Sequence, residues 1–326
     1  MKDIGLVGVP FSGKSTLFTA ITRAGSHGGQ ANVAVVPVPD PRLQVLTDLE
    51  HSKKTVAAQV RFIDVPGGTS SAQGIAKLRE VEALAIVVRC FGGDAAPAKE
   101  LAEVRAELLL ADLAVVESSL TKAEKKAKGR PGPEVEALAA AKMALEAERP
   151  LRDAALDPAT LAHLRGIAPL TLKPAVVVAN LEEGADVPDE LAAEGAVGVY
   201  ASIEAETTQM DPDDARALLE EFGVSEPGLE TVIAACYRAL DLLTFLTTGE
   251  DETRAWEVRR GAKAPEAAGV IHTDLERGFI RADVITYDEL VAQGSMEAAK
   301  TTGKLRVEGK DYVVQEGDIL HVRFAV

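Results

Sequence analysis

Eight consecutive residues near the start of the chain, Gly8-Val9-Pro10-Phe11-Ser12-Gly13-Lys14-Ser15, satisfy the spacing G-x4-G-K-S. Glycines in such a run let the backbone turn tightly, so that successive N–H groups, here from about Ser12 to Thr16, point inward at an anion. The positive end of a following helix adds to the attraction. Lys14 supplies a compact positive charge, and Ser15 offers its hydroxyl to a divalent cation. These types at this spacing predict a grip on the phosphates of a purine nucleotide, with Gly8, Phe11, Ser12, Gly13, Lys14, Ser15 and Thr16 as its contacts.

Two further loops carry matching chemistry. The apolar run Val60–Ile63 ends at Asp64, followed by Val65-Pro66-Gly67. An Asp at the carboxyl end of a strand beside the phosphate loop can hold Mg²⁺ through water, and Gly67 can offer its N–H to a γ-phosphate. Lys14, Asp64 and Gly67 are therefore the candidate catalytic set, and Ser15 and Asp64 the candidate metal ligands. The third loop follows the run Ala175–Ala179 and reads Asn180-Leu181-Glu182-Glu183. Guanine is selected in GTPases by Asn-Lys-x-Asp, whose Asp accepts from the ring N–H and amino groups. Here the lysine is absent and Glu183 stands where Asp would, so the expected ligand is ATP rather than GTP, or either with weak discrimination.

Such loops need a parallel sheet to hold them. Apolar runs at Ile4–Val7, Val33–Val38, Val60–Ile63, Leu84–Cys90, Ala175–Ala179 and Val197–Ala201 are the predicted strands. Several are apolar throughout, as strands covered on both faces are. Thr16–Ala24 is helix-like and opens directly after the phosphate loop. Between Ala98 and Arg149 the chain turns Ala/Leu/Glu/Lys-rich, interrupted at Gly129-Arg130-Pro131-Gly132-Pro133, which predicts a helical hairpin. Another helix is expected over Leu229–Leu243. After Gly249 the texture changes to short strands, at Phe279–Ile285, Lys304–Val307, Tyr312–Gln315 and Ile319–Phe324. The expected class is α/β, a mostly parallel P-loop sheet with an inserted helical arm and a C-terminal α+β domain. The expected boundaries are 1–118 with 151–243 for the nucleotide-binding domain, 119–150 for the arm and 244–326 for the last domain.

At 326 residues and 47% apolar content the chain can bury more than one core. No apolar run is long enough for a membrane helix, and the N-terminus lacks signal-peptide organisation, so a cytoplasmic protein without a membrane partner is expected. Cys90 and Cys236 are the two cysteines, both in apolar surroundings and read as inert thiols. The net charge of −16 argues against a protein that coats nucleic acid. Residues 1–100 carry 11 basic and 9 acidic side chains, 101–243 carry 13 and 27, and 244–326 carry 11 and 15. Inside the acidic middle, Lys122, Lys125, Lys126, Lys128 and Arg130 surround one acid, Glu124, and form a patch suited to phosphate.

With these three loops in order, a helical arm between them and a β-rich end, the sequence resembles the Obg-like ATPase family (YchF type) of translation-factor-class P-loop proteins. The resemblance covers nearly the whole chain. It is densest at Val36-Pro37-Val38-Pro39-Asp40-Pro41-Arg42-Leu43, Val88-Arg89-Cys90-Phe91 and Ile203-Glu204-Ala205-Glu206. The C-terminal runs Arg254-Ala255-Trp256, Ala268-Gly269-Val270-Ile271-His272-Thr273-Asp274, Glu276-Arg277-Gly278-Phe279-Ile280-Arg281 and Glu308-Gly309-Lys310-Asp311-Tyr312-Val313-Val314 match too. The resemblance implies a G-domain split by a coiled-coil arm, a ubiquitin-like TGS domain, Mg²⁺-dependent ATP binding and association with ribosomes. It also implies that the backbone of Leu181 contacts adenine and that Asn180 and Glu183 shape its pocket.

The departures from the family pattern are equally specific. The first switch segment is shortened to Gly25-Ser26-His27-Gly28-Gly29-Gln30-Ala31-Asn32 and holds no Thr to bind Mg²⁺. In the second switch the family's apolar residue after Gly67 is replaced by Gly68, followed by the short Thr69-Ser70-Ser71-Ala72-Gln73-Gly74. The last base-reading loop is Tyr200-Ala201-Ser202 instead of Ser-Ala-Lys, with Ala201 and Ser202 as its nucleotide contacts. The arm is curtailed. Hydrolysis needs a water held in line, and Gln73 and His27 are the candidates to hold it. The expected function is a slow ATPase, or GTPase, monomeric and without DNA partners, that acts as a ribosome-associated switch. The alternative is a nucleotide-binding adaptor that meets RNA or protein through its arm and its last domain, where His272, Arg277 and Arg281 are candidate contacts. A small-molecule kinase is a third reading, weakened by the lack of a lid with paired arginines.

Overall fold

The computed structural model describes residues 1–25, 32–65, 67–208, 210–224 and 228–325. Within them lie β1 (Lys2–Val7), β2 (Val33–Pro37), β3 (Thr55–Val56), β4 (Gln59–Asp64), β5 (Ala83–Cys90), β6 (Ala175–Leu181), β7 (Val197–Val199), β8 (Leu242–Thr247), β9 (Thr253–Arg259), β10 (Phe279–Thr286), β11 (Arg306–Glu308) and β12 (Asp318–Phe324). The helices of the first two thirds are α1 (Lys14–Gly25), α2 (Arg42–Glu50), α3 (Ala72–Glu80), α4 (Pro97–Ala127), α5 (Pro133–Glu146), α6 (Pro158–Leu164), α7 (Asp189–Ala192), α8 (Ala201–Thr207), α9 (Pro212–Glu221) and α10 (Leu229–Ala239). The remainder holds α11 (Ala264–Ile271), α12 (Thr273–Arg277), α13 (Tyr287–Gln293) and α14 (Met296–Thr301). The chain divides into two compact units, Met1–Val36 with Val60–Leu240, and Pro37–Gln59 with Asp241–Val326.

In the first unit a sheet of order β2-β4-β1-β5-β6-β7 pairs β1 with β4 and β5, β5 with β6, and β6 with β7, all parallel. Ala83 to Val88 of β5 are all buried, which explains the unbroken apolar run. Val7, Leu78, Ile86, Val104, Leu108 and Val177 sit in one core between sheet and helices. The strand order departs in both directions from β1, and in such open sheets ligands bind at the carboxyl ends of the strands where the order reverses. Each of the three loops read from the sequence leaves such an end, after β1, β4 and β6.

The long α4 and shorter α5 form the helical hairpin. Ala, Leu, Glu and Lys dominate both, Pro97 and Pro133 sit in their first turns, and the turn between them uses Lys128 at φ 48° and Gly129 at φ 83°. Val116, Leu138, Ala141 and Leu145 bury the contact, with Leu151 and Leu164 beneath it. Lys122, Lys125, Lys126, Lys128 and Arg130 are all exposed near the turn.

The second unit holds a sheet of order β11-β10-β12-β8-β9-β3, with antiparallel β8/β9 and β10/β12 pairs and a parallel β8/β12 pair at its centre. Phe245, Val258, Ala267, Phe279 and Val284 form its core. The second unit also takes in residues 37–59, which had been expected to lie in the nucleotide-binding domain. That segment brings α2, whose Leu43 and Leu46 are buried, and β3, which pairs with β9. Arg42 forms ion pairs at 2.7 Å with both Asp40 and Glu316, and the Thr253 N–H donates to the Lys54 carbonyl at 2.9 Å.

Three expected elements end differently. The helix expected to reach Leu243 closes at Ala239, Asp241 takes φ 54°, and Leu242 and Leu243 are buried sheet residues. The Tyr312–Gln315 segment makes an isolated bridge, Val313 with Lys263, rather than a strand. The strand expected over Val197–Ala201 stops at Val199 because α8 opens at Ala201. Among the described residues no helix is long and apolar enough to cross a membrane. Burial pushes the Cys90 thiol up to about 11 and Cys236 to about 12, so both are unreactive near neutral pH.

Candidate functional site

The phosphate loop joins β1 to α1. Gly13 takes φ 89°, and a Cβ there would lie 2.0 Å from Asn180 Nδ2, so only glycine fits between the two loops. Phe11 takes φ 66° and stands 91% exposed at the crest of the loop. The Ser12 N–H turns to the Val9 carbonyl at 3.3 Å, so it faces its own loop where an inward-pointing donor had been expected. The first bonded amide of α1 is that of Leu17, which donates to the Gly13 carbonyl at 2.9 Å. The amides of Gly13, Lys14, Ser15 and Thr16 before it are those a helix start leaves unmatched.

The Lys14 ammonium donates to the carbonyls of Gly8 at 2.8 Å and Val9 at 2.7 Å. Burial lowers its pKa from the ordinary lysine value, while the charges of Asp64 and Glu107 act in the opposite direction. Ser12 Oγ is buried and has no partner among the described residues. Among the described residues, an unmatched buried hydroxyl, four amides without a backbone acceptor and an ammonium folded onto loop carbonyls make a cradle whose donors fit a polyphosphate.

Ser15 and Asp64 approach each other across the mouth of the loop. Ser15 Oγ lies 3.5 Å from Asp64 Oδ2, and both are near the loop mouth. A hydroxyl and a carboxylate are hard oxygen donors suited to Mg²⁺, which keeps several waters and takes the rest of its shell from substrate phosphates. Among the described residues no group of three or more His, Cys, Asp or Glu side chains converges. The Asp64 N–H donates to the Asn32 carbonyl at 3.1 Å, which ties β4 to the end of the first switch segment. Residues 26–31 of that segment, His27 among them, and Pro66 lie outside the described residues.

Gly67 takes φ 76°, and a Cβ there would lie 2.4 Å from Ser71 Oγ. It opens a 3-10 turn, Gly68–Ser70, that packs against α4. Ser71 caps α3 by accepting from the Gly74 N–H at 2.9 Å, and Gln73 is exposed in the first turn of that helix. Thr69 Oγ1 donates a hydrogen bond to Glu107 Oε2 of α4. No motif singles out Glu107, which lies 40 residues beyond Gly67 on a helix rich in Glu; only the fold brings it to this turn.

Asn180 is buried and joins two of the loops. Its Nδ2 donates to the Ser12 carbonyl at 3.1 Å and its Oδ1 accepts from the Ala201 N–H at 3.3 Å. Leu181 is buried at the end of β6, and Glu182 and Glu183 are exposed beyond it. Ala201 and Ser202 open α8, so the expected base-reading residues share the neighbourhood of the phosphate loop. Glu204 of α8 is buried and accepts from the amides of Tyr200 at 2.9 Å, Gly228 at 2.9 Å and Leu229 at 2.7 Å. It thereby caps α10, a structural role for the Ile203–Glu206 run. In the second unit His272 Nδ1 accepts from the Asp274 N–H at 3.2 Å, while Arg277 and Arg281 are exposed. A cavity of about 1350 Å³ in the first unit, lined by Leu101, Arg105, Leu109, Val177 and Arg238 among others, contains none of the phosphate-loop residues.

A family model described as "50S ribosome-binding GTPase" matches residues 3–118, and the YchF-GTPase C-terminal model, described as a protein of unknown function, matches residues 242–325. The chain is 40% identical to the "Ribosome-binding ATPase YchF" of Bacillus subtilis (strain 168), over 99% of each. It is 38% identical to the protein of the same name from Escherichia coli O157:H7, again over 99% of each. The solved structure of the Schizosaccharomyces pombe YchF GTPase superposes with a TM-score of 0.87 at 28% identity, covering 99% of this chain and 97% of that one. The alignment with the Bacillus protein spans 361 positions against 326 residues here, so relative to it this chain carries deletions.

Proposed function

The chain belongs to the YchF family, and from that premise we propose that it binds ATP with Mg²⁺ at the Gly8–Thr16 loop, hydrolyses it slowly, and acts as a cytoplasmic, ribosome-associated switch. One observation carries the reading. The ammonium of Lys14, the amides that open α1 and the Ser15/Asp64 oxygen pair at 3.5 Å converge at the carboxyl ends of β1 and β4. In this reading Lys14 leaves the carbonyls of Gly8 and Val9 for phosphate oxygens, and the Gly67 N–H meets the terminal phosphate. Asn180 keeps the phosphate loop and the start of α8 at fixed separation, and Ser15 and Asp64 hold Mg²⁺, which neutralises charge on the phosphates.

Adenine is preferred because Glu182 and Glu183 follow Leu181 where guanine recognition wants Lys-x-Asp. Calorimetric titration with ATP, GTP and their diphosphates, with and without Mg²⁺, tests both halves of the proposal. ATP and ADP are expected to bind, and GTP to bind at least about tenfold more weakly, a difference of about 1.4 kcal/mol. Equal or tighter GTP binding would reverse the assignment of the base, and no binding at all would remove the site.

The exposed cations around the α4–α5 turn are the proposed contact with ribosomal RNA. Phosphate contacts release counterions, so binding through them weakens steeply with salt. Replacing Lys125, Lys126 and Lys128 together with Glu is expected to reduce ribosome co-sedimentation by at least about tenfold at moderate salt and to flatten its salt dependence. Unchanged pelleting would take the arm out of the mechanism. The second reading, an adaptor that binds nucleotide without turning it over, is favoured by one feature, the lack of any side chain at Gly68. Single-turnover hydrolysis with and without ribosomes separates the two.

A further inference from the structure

Attack on a terminal phosphate requires a group that orients the water, and in many P-loop hydrolases that group is a side chain directly after the glycine that meets the phosphate. Here that position is Gly68, which is buried and carries no side chain. Gln73 lies further along, exposed in the first turn of α3. The group nearest to filling the gap comes from another element. The turn that begins at Gly68 packs on α4, and there Thr69 Oγ1 donates to Glu107 Oε2. This bond fixes one oxygen of the carboxylate, and the other, Oε1, has no hydrogen-bond partner among the described residues. Glu107 also makes no ion pair among them, although its charge is felt at the Lys14 ammonium alongside that of Asp64. A carboxylate oxygen that faces a triphosphate is repelled by it unless a group with hydrogens to donate lies between them, and the free Glu107 oxygen still needs such a donor. Water fills that description.

We propose that Glu107, oriented by the Thr69 hydroxyl, holds the attacking water for ATP hydrolysis, in place of the side chain that Gly68 lacks. The inference rests on the ATPase reading of the site and adds a residue to it. The carboxylate accepts a hydrogen bond from the water while its other oxygen stays on Thr69. The water oxygen bonds to the γ-phosphorus as the bond from that phosphorus to the β–γ bridging oxygen breaks, and the electron pair leaves with the diphosphate. The proton lost by the water passes to Glu107 and from there to the released phosphate or to solvent. No further reactant is needed.

The full-length chain tests this with Glu107→Gln, Glu107→Asp and Thr69→Val. Calorimetry with ADP, and with ADP plus aluminium fluoride and Mg²⁺, gives a readout besides turnover. Glu107→Gln is expected to bind ADP within twofold of wild type, to lose about 20-fold or more in affinity for the fluoride complex, and to lose about 100-fold in kcat with little change in KM. Glu107→Asp is expected to recover part of both losses. Thr69→Val, which keeps the carboxylate but frees it, is expected to lose about tenfold in kcat with ADP affinity unchanged. Wild-type turnover and fluoride-complex affinity in Glu107→Gln would overturn the assignment, and if that variant does not fold, wild-type turnover in Thr69→Val does so instead. A wild-type protein that binds ATP but never hydrolyses it, with or without ribosomes, also overturns it while leaving the nucleotide site intact. A wild-type protein that binds no nucleotide removes both.

Discussion

Replacing Lys14 with Ala is expected to weaken ATP binding by about 100-fold, about 3 kcal/mol, measured by calorimetry in the presence of Mg²⁺. The magnitude follows from the two interactions the ammonium is placed to make. It already reaches two oxygens at once, the carbonyls of Gly8 and Val9 at 2.8 and 2.7 Å, and exchanging neutral carbonyls for charged phosphate oxygens strengthens each bond. The folded protein gains little from the lysine when the site holds no anion. Burial lowers its pKa, so the structure disfavours the charged form, and the melting temperature of the Ala variant is expected to fall by no more than about 2 °C. A residue that contributes little to folding and much to binding is what a phosphate site requires. Lys14→Arg is not expected to restore affinity, because a planar, longer guanidinium does not reproduce the compact charge that Lys14 sets against the carbonyls of Gly8 and Val9. ATP affinity within threefold of wild type in Lys14→Ala would show that phosphate is held elsewhere.

The parts of this site that share a local signal were legible in the sequence. Gly8 to Ser15 depend on close spacing, and Asp64 and Asn180 each end an apolar run, so strand and loop were read together. Among the six strands of the first sheet, those buried on both faces leave continuous apolar runs, as Ala83–Val88 does, while β2 and β4 are buried at alternate residues and were read from their apolar majority. Glu107 was not legible. It is one Glu among several on a 31-residue helix, and its meaning comes from the Thr69 hydroxyl that the fold carries to it. The placement of residues 37–59 was hidden for a similar reason. The Val36–Leu43 run stood out as a match, yet what places it and the residues after it is long-range, the pairing of Arg42 with Glu316 and of β3 with β9, which no periodicity encodes. At Leu242 and Leu243 the cause is different: two apolar residues after an amphipathic helix fit one more turn or a buried strand equally well, and pairing with Arg259 and Val258 decides for the strand.

Asp112 gives the largest expected effect on stability, and it lies outside every motif. Its carboxylate is buried on α4 and accepts four hydrogen bonds from outside the helix. These come from Arg79 Nη1 at 2.8 Å, the Leu170 N–H at 2.9 Å, the Thr171 N–H at 2.7 Å and the Thr171 hydroxyl at 2.8 Å. Asp112 thus joins α3, the base of the helical arm and the 3-10 turn that leads into β6, the strand that carries Asn180. Asp112→Ala leaves two buried backbone donors unmatched and removes the only carboxylate paired with Arg79 among the described residues. Each loss of that kind is worth about 1–3 kcal/mol, and breaking a buried pair on one side costs about 3–5 kcal/mol. The expected result is a loss of about 4 kcal/mol, read as a fall in melting temperature of about 10 °C for a unit of this size. An apolar substitute of similar volume is not expected to rescue it, since the Leu170 and Thr171 amides still need an acceptor. Asp112→Asn keeps one carbonyl oxygen and is expected to lose about half as much. Because Asn180 sits on the strand that this turn feeds, Asp112→Asn is also expected to weaken ATP binding by a few-fold, while Glu107→Gln leaves the melting temperature near wild type. A melting temperature for Asp112→Ala within 2 °C of wild type would mean that the arm base is held by its apolar contacts, Leu151 and Leu164 among them, and that the carboxylate is dispensable.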